Sequence, residues 1–167
     1  MVNERPRTFV VLVEDVPGVL DRVASLFRRR GYNIESLSVG HTDREGVSHI
    51  TVVVNADDRT AALVEANLYK QVQVLEVKDV SNLPSVVRDL ALIKVRANHK
   101  NRAEVLQVAE VFRARVVDVS PEALIFEITG SEDKIESLVD VLRPFGILEM
   151  ARTGVVAMAR ATETVSA

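Results

Sequence analysis

EDVPGVLDRVASLFRRRGYNIESLSVG, residues 14–40, holds a strand end, a Pro-Gly turn, an amphipathic helix, a glycine stop and a second strand within 27 residues. Pro17 is expected in the first helical turn, where its missing N–H has no intrahelical bond to lose. Val19, Leu20, Val23, Leu26 and Phe27 recur at helical spacing, while Asp21, Arg22, Arg28 and Arg29 occupy the opposite face. Gly31 stands where helices commonly stop, and Tyr32 to Val39 reads as a strand. The turn from Asp15 to Leu20 presents backbone amides at a helix start. That arrangement suits the polar end of a small ligand and contains no evident catalytic group.

Working outward, Thr8 to Val13 and Ser48 to Asn55 read as strands, the latter with Ile50, Val52 and Val54 on one face. His41 to Gly46 is a polar turn between strands. Asp57-Asp58-Arg59-Thr60 opens a second helix reaching about Lys70, and Val72 to Asp79 closes the unit. The second half repeats the order. Arg88 to Ala97 is a strand, Asn101 to Ala114 a helix, and Val116 to Val119 and Ala123 to Thr129 are strands. Ser131 to Phe145 is a helix with Ile135, Leu138, Val139 and Leu142 inward. Ile147 to Met158 is extended and broken at Gly154. The runs Phe27-Arg28-Arg29-Arg30 and Phe112-Arg113-Ala114-Arg115 are read as matching places of an internal repeat.

The fold class is therefore α+β, two tandem ferredoxin-like βαββαβ domains. The expected boundaries are 1–80 for the N-terminal domain, 81–85 for the linker, 86–160 for the C-terminal domain and 161–167 for a flexible tail. The first and third strands of each unit are the most continuously apolar, which places them centrally. Two helices cover only one face of each sheet, so the bare face calls for a partner surface and suggests oligomers.

Composition narrows the function. A formal net charge of −3 lacks the basic excess of a general nucleic-acid binder. Cysteine is absent, which removes disulfides and thiolate chemistry. The start, MVNERPRTFVVLVED, lacks the uninterrupted apolar core of a signal peptide, and a cytoplasmic location is expected. His41, His49 and His99 lack metal-ligand spacing, so no metal is expected. Arg28, Arg29 and Arg30 read as a solvated helix end that complements the helix dipole. The acidic pairs Asp57-Asp58 and Glu132-Asp133 belong at helix starts for the same electrostatic reason. No phosphate-binding glycine loop, nucleophile elbow or HExxH helix occurs.

The first half resembles an ACT domain, the amino-acid-sensing variant of the ferredoxin-like fold. Pro17-Gly18-Val19-Leu20 followed by Arg30-Gly31-Tyr32-Asn33-Ile34-Glu35-Ser36-Leu37 resembles the regulatory small subunit of acetolactate synthase (acetohydroxyacid synthase). Leu90-Ala91-Leu92-Ile93-Lys94-Val95, Phe112 to Val119 and Arg152-Thr153-Gly154-Val155-Val156 are similar to the same family, in the same order. The resemblance implies a non-catalytic chain that acts in branched-chain amino acid biosynthesis. It would activate a catalytic large subunit and confer feedback inhibition by valine. Thiamine diphosphate, Mg²⁺ and FAD would be carried by the large subunit, with no cofactor in this chain. The implied division gives effector binding and dimerisation to the ACT domain and partner activation to the second domain.

By the same resemblance the effector sits where two ACT domains of a homodimer meet, with Asp15, Gly18 and Asn33 at its polar end. Val16, Pro17, Val19, Leu20 and Ile34 flank it. The chemistry agrees: helix-start amides favour a carboxylate, and the Asp15 carboxylate suits an ammonium group. Some members have Asn where this chain has Asp15, which bears on effector selectivity among valine, leucine and isoleucine. Two other classes of function fit parts of the sequence. One is a free-standing ACT-type sensor acting on a different enzyme. The other is a small ferredoxin-like enzyme such as an acyl-phosphate hydrolase, for which no constellation of Arg and Asn on an anion loop is evident.

Overall fold

The computed structural model describes residues 4–161. They form two compact units, residues 4–86 with 155–161 and residues 87–154. The first unit runs β1 (Arg5–Glu14), α1 (Val19–Arg30), β2 (Ile34–His41), β3 (Val47–Ala56), α2 (Asp58–Tyr69) and β4 (Val74–Asp79). Its antiparallel sheet has the order β2-β3-β1-β4, so the two most apolar strands lie at the centre as expected. Register pairs Phe9 with Val52 and Val11 with Ile50. Strand alternation turns these residues toward Val23, Leu26 and Phe27 of α1 and Ala61, Val64 and Leu68 of α2, which together form the core.

The second unit repeats the pattern with β5 (Ser85–Arg96), α3 (Arg102–Val111), β6 (Arg115–Val119), β7 (Ala123–Gly130), α4 (Glu132–Leu142), a short 3₁₀ turn (Arg143–Phe145) and β8 (Ile147–Arg152). Its strands follow the order β6-β7-β5-β8. Ile93, Val95, Leu124, Phe126 and Ile128 are buried against Val105, Ala109, Ile135, Leu138 and Val139. Asp89 at the sheet end is 3% exposed. The Arg152 guanidinium satisfies it, with Nε donating to Asp89 Oδ2 at 2.8 Å and Nη1 donating to Glu136 Oε1. Arg102 clamps the β6–β7 turn by donating through Nη2 to the carbonyls of Ser120 and Pro121.

Three sequence expectations need correction. Pro17 lies before the helix rather than in its first turn, because Gly18 is the N-cap. The Phe-Arg runs are also not equivalent. Tyr32 N bonds Phe27 O and Ala114 N bonds Ala109 O, so both α1 and α3 end in the same two-bond motif. Gly31 (φ +71°) therefore corresponds to Arg113 (φ +56°), which matches Phe27 with Ala109 and puts Phe112 one turn later.

The extended segment after Gly146 does not stay within the second unit. It divides at Gly154 into β8 and a separate strand β9 (Val156–Ala159), which pairs with β5 and is grouped with the first unit. Val155 N donates to Ser36 Oγ at 2.8 Å, Ala157 N to Thr51 Oγ1 at 3.4 Å, and Arg160 N to Pro84 O at 2.9 Å. Sequence reasoning gave the cover of the open sheet face to a partner, and here the chain's own C-terminal strand supplies part of it. Residues 162–167 of the expected tail lie outside the described residues. Among the described residues no helix is long and apolar enough to cross a membrane.

Candidate functional site at the start of the first helix

The Pro-Gly turn is set by its backbone bonds. Asp15 N donates to Gly46 O at 2.8 Å, tying the turn to the β2–β3 loop, and Val19 N donates to Val16 O at 3.3 Å. Gly18 caps α1 at φ 84°, ψ −2°, a left-handed conformation that a side chain resists, and no side chain caps the helix there. First-turn amides lack intrahelical acceptors. With the positive end of the helix dipole behind them, they form a place for an anionic group.

Asp15, Val16, Pro17, Gly18 and Leu20 are all exposed around this turn. Val19 points inward, 8% exposed, and packs in the core. Val16 and Leu20, at 40% and 41%, are thus the apolar side chains offered at the surface. Asp15 has a neighbour that sequence spacing alone did not identify. Its Oδ2 lies 3.3 Å from Nδ1 of His41 at the end of β2.

Asn33 and Ile34 stand elsewhere. Gly31 stops the helix, and Tyr32 packs edge-on against Phe27 with ring centroids 6.3 Å apart. That leaves Asn33 exposed just before β2. Its Nδ2 donates to Glu35 Oε1 at 2.8 Å, and Asn55 Nδ2 donates to the same oxygen at 3.1 Å. Ile34 is half-buried against the core. The 12 residues of α1 separate Gly18 from this corner, a span of about 18 Å at ~1.5 Å per residue. One chain therefore gathers Asp15 to Leu20 at one end of α1 and Asn33 and Ile34 at the other.

Arg28, Arg29 and Arg30 are exposed in the last turn of α1, where positive charge suits the dipole. Asp57 caps α2 by accepting from Thr60 N at 2.7 Å, and this bond holds its carboxyl below the ordinary value. Burial pushes His49, on the open face of the first sheet, below the ordinary imidazole range. Among the described residues no three His, Asp or Glu side chains are grouped as metal ligands.

Comparison with known proteins covers nearly the whole chain. Residues 88–161 match the family model described as the small subunit of acetolactate synthase, and residues 9–88 match the small subunit-like ACT domain of the same enzyme. The chain is 49% identical over 153 residues to a probable acetolactate synthase small subunit of Archaeoglobus fulgidus, covering 92% of this chain and 96% of that one. It is 46% identical over 159 residues to the acetolactate synthase small subunit of Mycobacterium bovis, covering 95% of each. The crystal structure of the acetolactate synthase small subunit from Thermotoga maritima superposes with a TM-score of 0.88 at 42% identity, covering 93% of this chain and 98% of that one.

Proposed function

The chain belongs to the family of acetolactate synthase small subunits, and from that premise we propose that it activates the catalytic large subunit and makes it sensitive to valine. The observation that carries the effector reading is the start of α1. Its glycine cap sits in the left-handed region, no side chain closes it, and an exposed carboxylate stands beside it. A free amino acid has two charged groups of opposite sign. The helix-start amides suit its carboxylate, Asp15 suits its ammonium, and Val16 and Leu20 flank an aliphatic side chain.

The roughly 18 Å between the two ends of α1 supports a site completed by a second copy. A twofold axis laying two α1 helices antiparallel brings Gly18 of one protomer to the partner subunit's Asn33, twice. The edge position of β2 in the sheet leaves a strand available for the same contact. Asp15 already faces His41, so an incoming ammonium takes the place of the imidazole beside that carboxylate. Valine then acts by binding one arrangement of the dimer more tightly than another, since only differential affinity shifts an equilibrium. Thiamine diphosphate, Mg²⁺ and FAD are expected on the large subunit.

Reconstitution with the purified large subunit tests the proposal. The expected result is higher acetolactate synthase activity that valine then lowers. A large subunit whose rate and valine response are unchanged by this chain refutes it.

A further inference from the structure

We propose that the open face of the first sheet carries a second small-molecule site, separate from the helix start, whose ligand is an aliphatic α-amino acid. The site is a groove of about 580 Å³ beside β9. That size falls within the roughly 300–1,000 Å³ range of small-ligand pockets. Leu12, Val39 and Val47 line it from the sheet, and Val156 and Met158 from β9. Val39, Val156 and Met158 remain 48%, 50% and 67% exposed, so the groove offers uncovered apolar surface.

One region of the lining carries adjacent opposite charges, Asp43 and Arg44. Neither side chain has an ion-pair partner among the described residues. The loop that bears them is held in place by Thr42, whose hydroxyl donates to Val47 O at 3.0 Å and accepts from Arg44 N at 3.1 Å. The Arg44 guanidinium suits a carboxylate through two parallel bonds, and Asp43 accepts from an ammonium group. An aliphatic monocarboxylate leaves Asp43 without a partner, and an aliphatic amine leaves Arg44 without one. A zwitterion with an apolar side chain satisfies both charges and the lining together. No residue from Asp15 to Leu20 lines the groove, although His41 does and also touches Asp15.

The test uses the full chain with ¹³C-methyl Met, Leu and Val in a Gly18→Asp background, titrated with L-leucine. Methyl signals of Met158, Val39 and Leu12 are expected to move saturably. The same titration with 4-methylpentanoate or 3-methylbutylamine, or with the added substitutions Arg44→Gln or Asp43→Asn, is expected to bind about tenfold or more weakly. Core methyls of Val64 and Leu138 report that each variant keeps its fold. Absence of saturable movement at Met158 overturns the proposal, as do equal affinities for leucine and either analogue. Movement that tracks self-association of the chain assigns the groove to a second copy and also overturns it. In the wild-type chain the Leu20 methyls report the helix-start site independently, so failure there is distinguishable from failure here.

Discussion

Gly18 allows backbone strain to be separated from ligand contact. Its φ of 84° lies in the left-handed region, which costs a residue with a Cβ about 1–2 kcal/mol. Packing adds nothing, because the nearest atom to an added Cβ is Arg22 Nη2 at 3.7 Å, an ordinary contact. Gly18→Ala should therefore lower the unfolding free energy by about 1–2 kcal/mol, and Gly18→Asp by no more than that, because Asp tolerates the left-handed region better and complements the helix dipole. Effector binding should divide them. A carboxylate placed about 4 Å from the ligand's own repels it by about 4 kcal/mol at an effective dielectric of about 20. With Arg22 offsetting half of that, about 2 kcal/mol remains, a loss of roughly 30-fold. Urea unfolding followed by circular dichroism gives the first quantity, and calorimetric titration with valine in the presence of the large subunit gives the second. Destabilisation of Gly18→Asp beyond about 3 kcal/mol would point to packing and refute the dihedral argument. Valine affinity retained in Gly18→Asp would refute the helix-start site.

Arg113 occupies the left-handed position that ends α3, so Arg113→Gly is expected to raise stability by about 1 kcal/mol, read from the urea midpoint. Asp89→Asn leaves the Arg152 guanidinium with Glu136 as its remaining carboxylate. A loss of about 2–3 kcal/mol is expected, below the fully buried case because Arg152 is partly exposed. Burial keeps His49 neutral to lower pH than in the unfolded chain, so the unfolded state takes up its proton first. Stability should fall as pH drops below about 6.5 and level off once the folded imidazole is also protonated. Urea midpoints across that range should lose this component in His49→Gln.

Most of the fold was legible because strand alternation and helical spacing are local. Phe9, Val11 and Val13 alternate with Val10 and Leu12, and Val23, Leu26 and Phe27 recur one turn apart, so neither needs a distant contact to be read. The order of strands followed from which were apolar on both faces. The helix-start turn was legible because Pro17-Gly18 is local chemistry, and its one misplacement, Pro17 inside the helix, is an error of two residues. The losses were non-local. The Asp15–His41 contact joins residues 26 apart in sequence across a loop, and no periodicity encodes it. Val156 to Ala159 alternates like any short strand, so its pattern does not say that it pairs with β5 or packs with the first unit. The two Phe-Arg runs share letters without sharing backbone positions, because Gly31 corresponds to Arg113.

The return of β9 sets an order on biosynthesis. The N-terminal strands leave the ribosome well before residues 87–154, yet Thr51 receives its bond from Ala157 only after those residues have been translated. A gene fragment ending at Val86 encodes β1 to β4 without the segment that bonds Ser36 through Val155 and Thr51 through Ala157. The first unit is thus completed only after the second has been synthesised, because its two segments bracket all of residues 87–154.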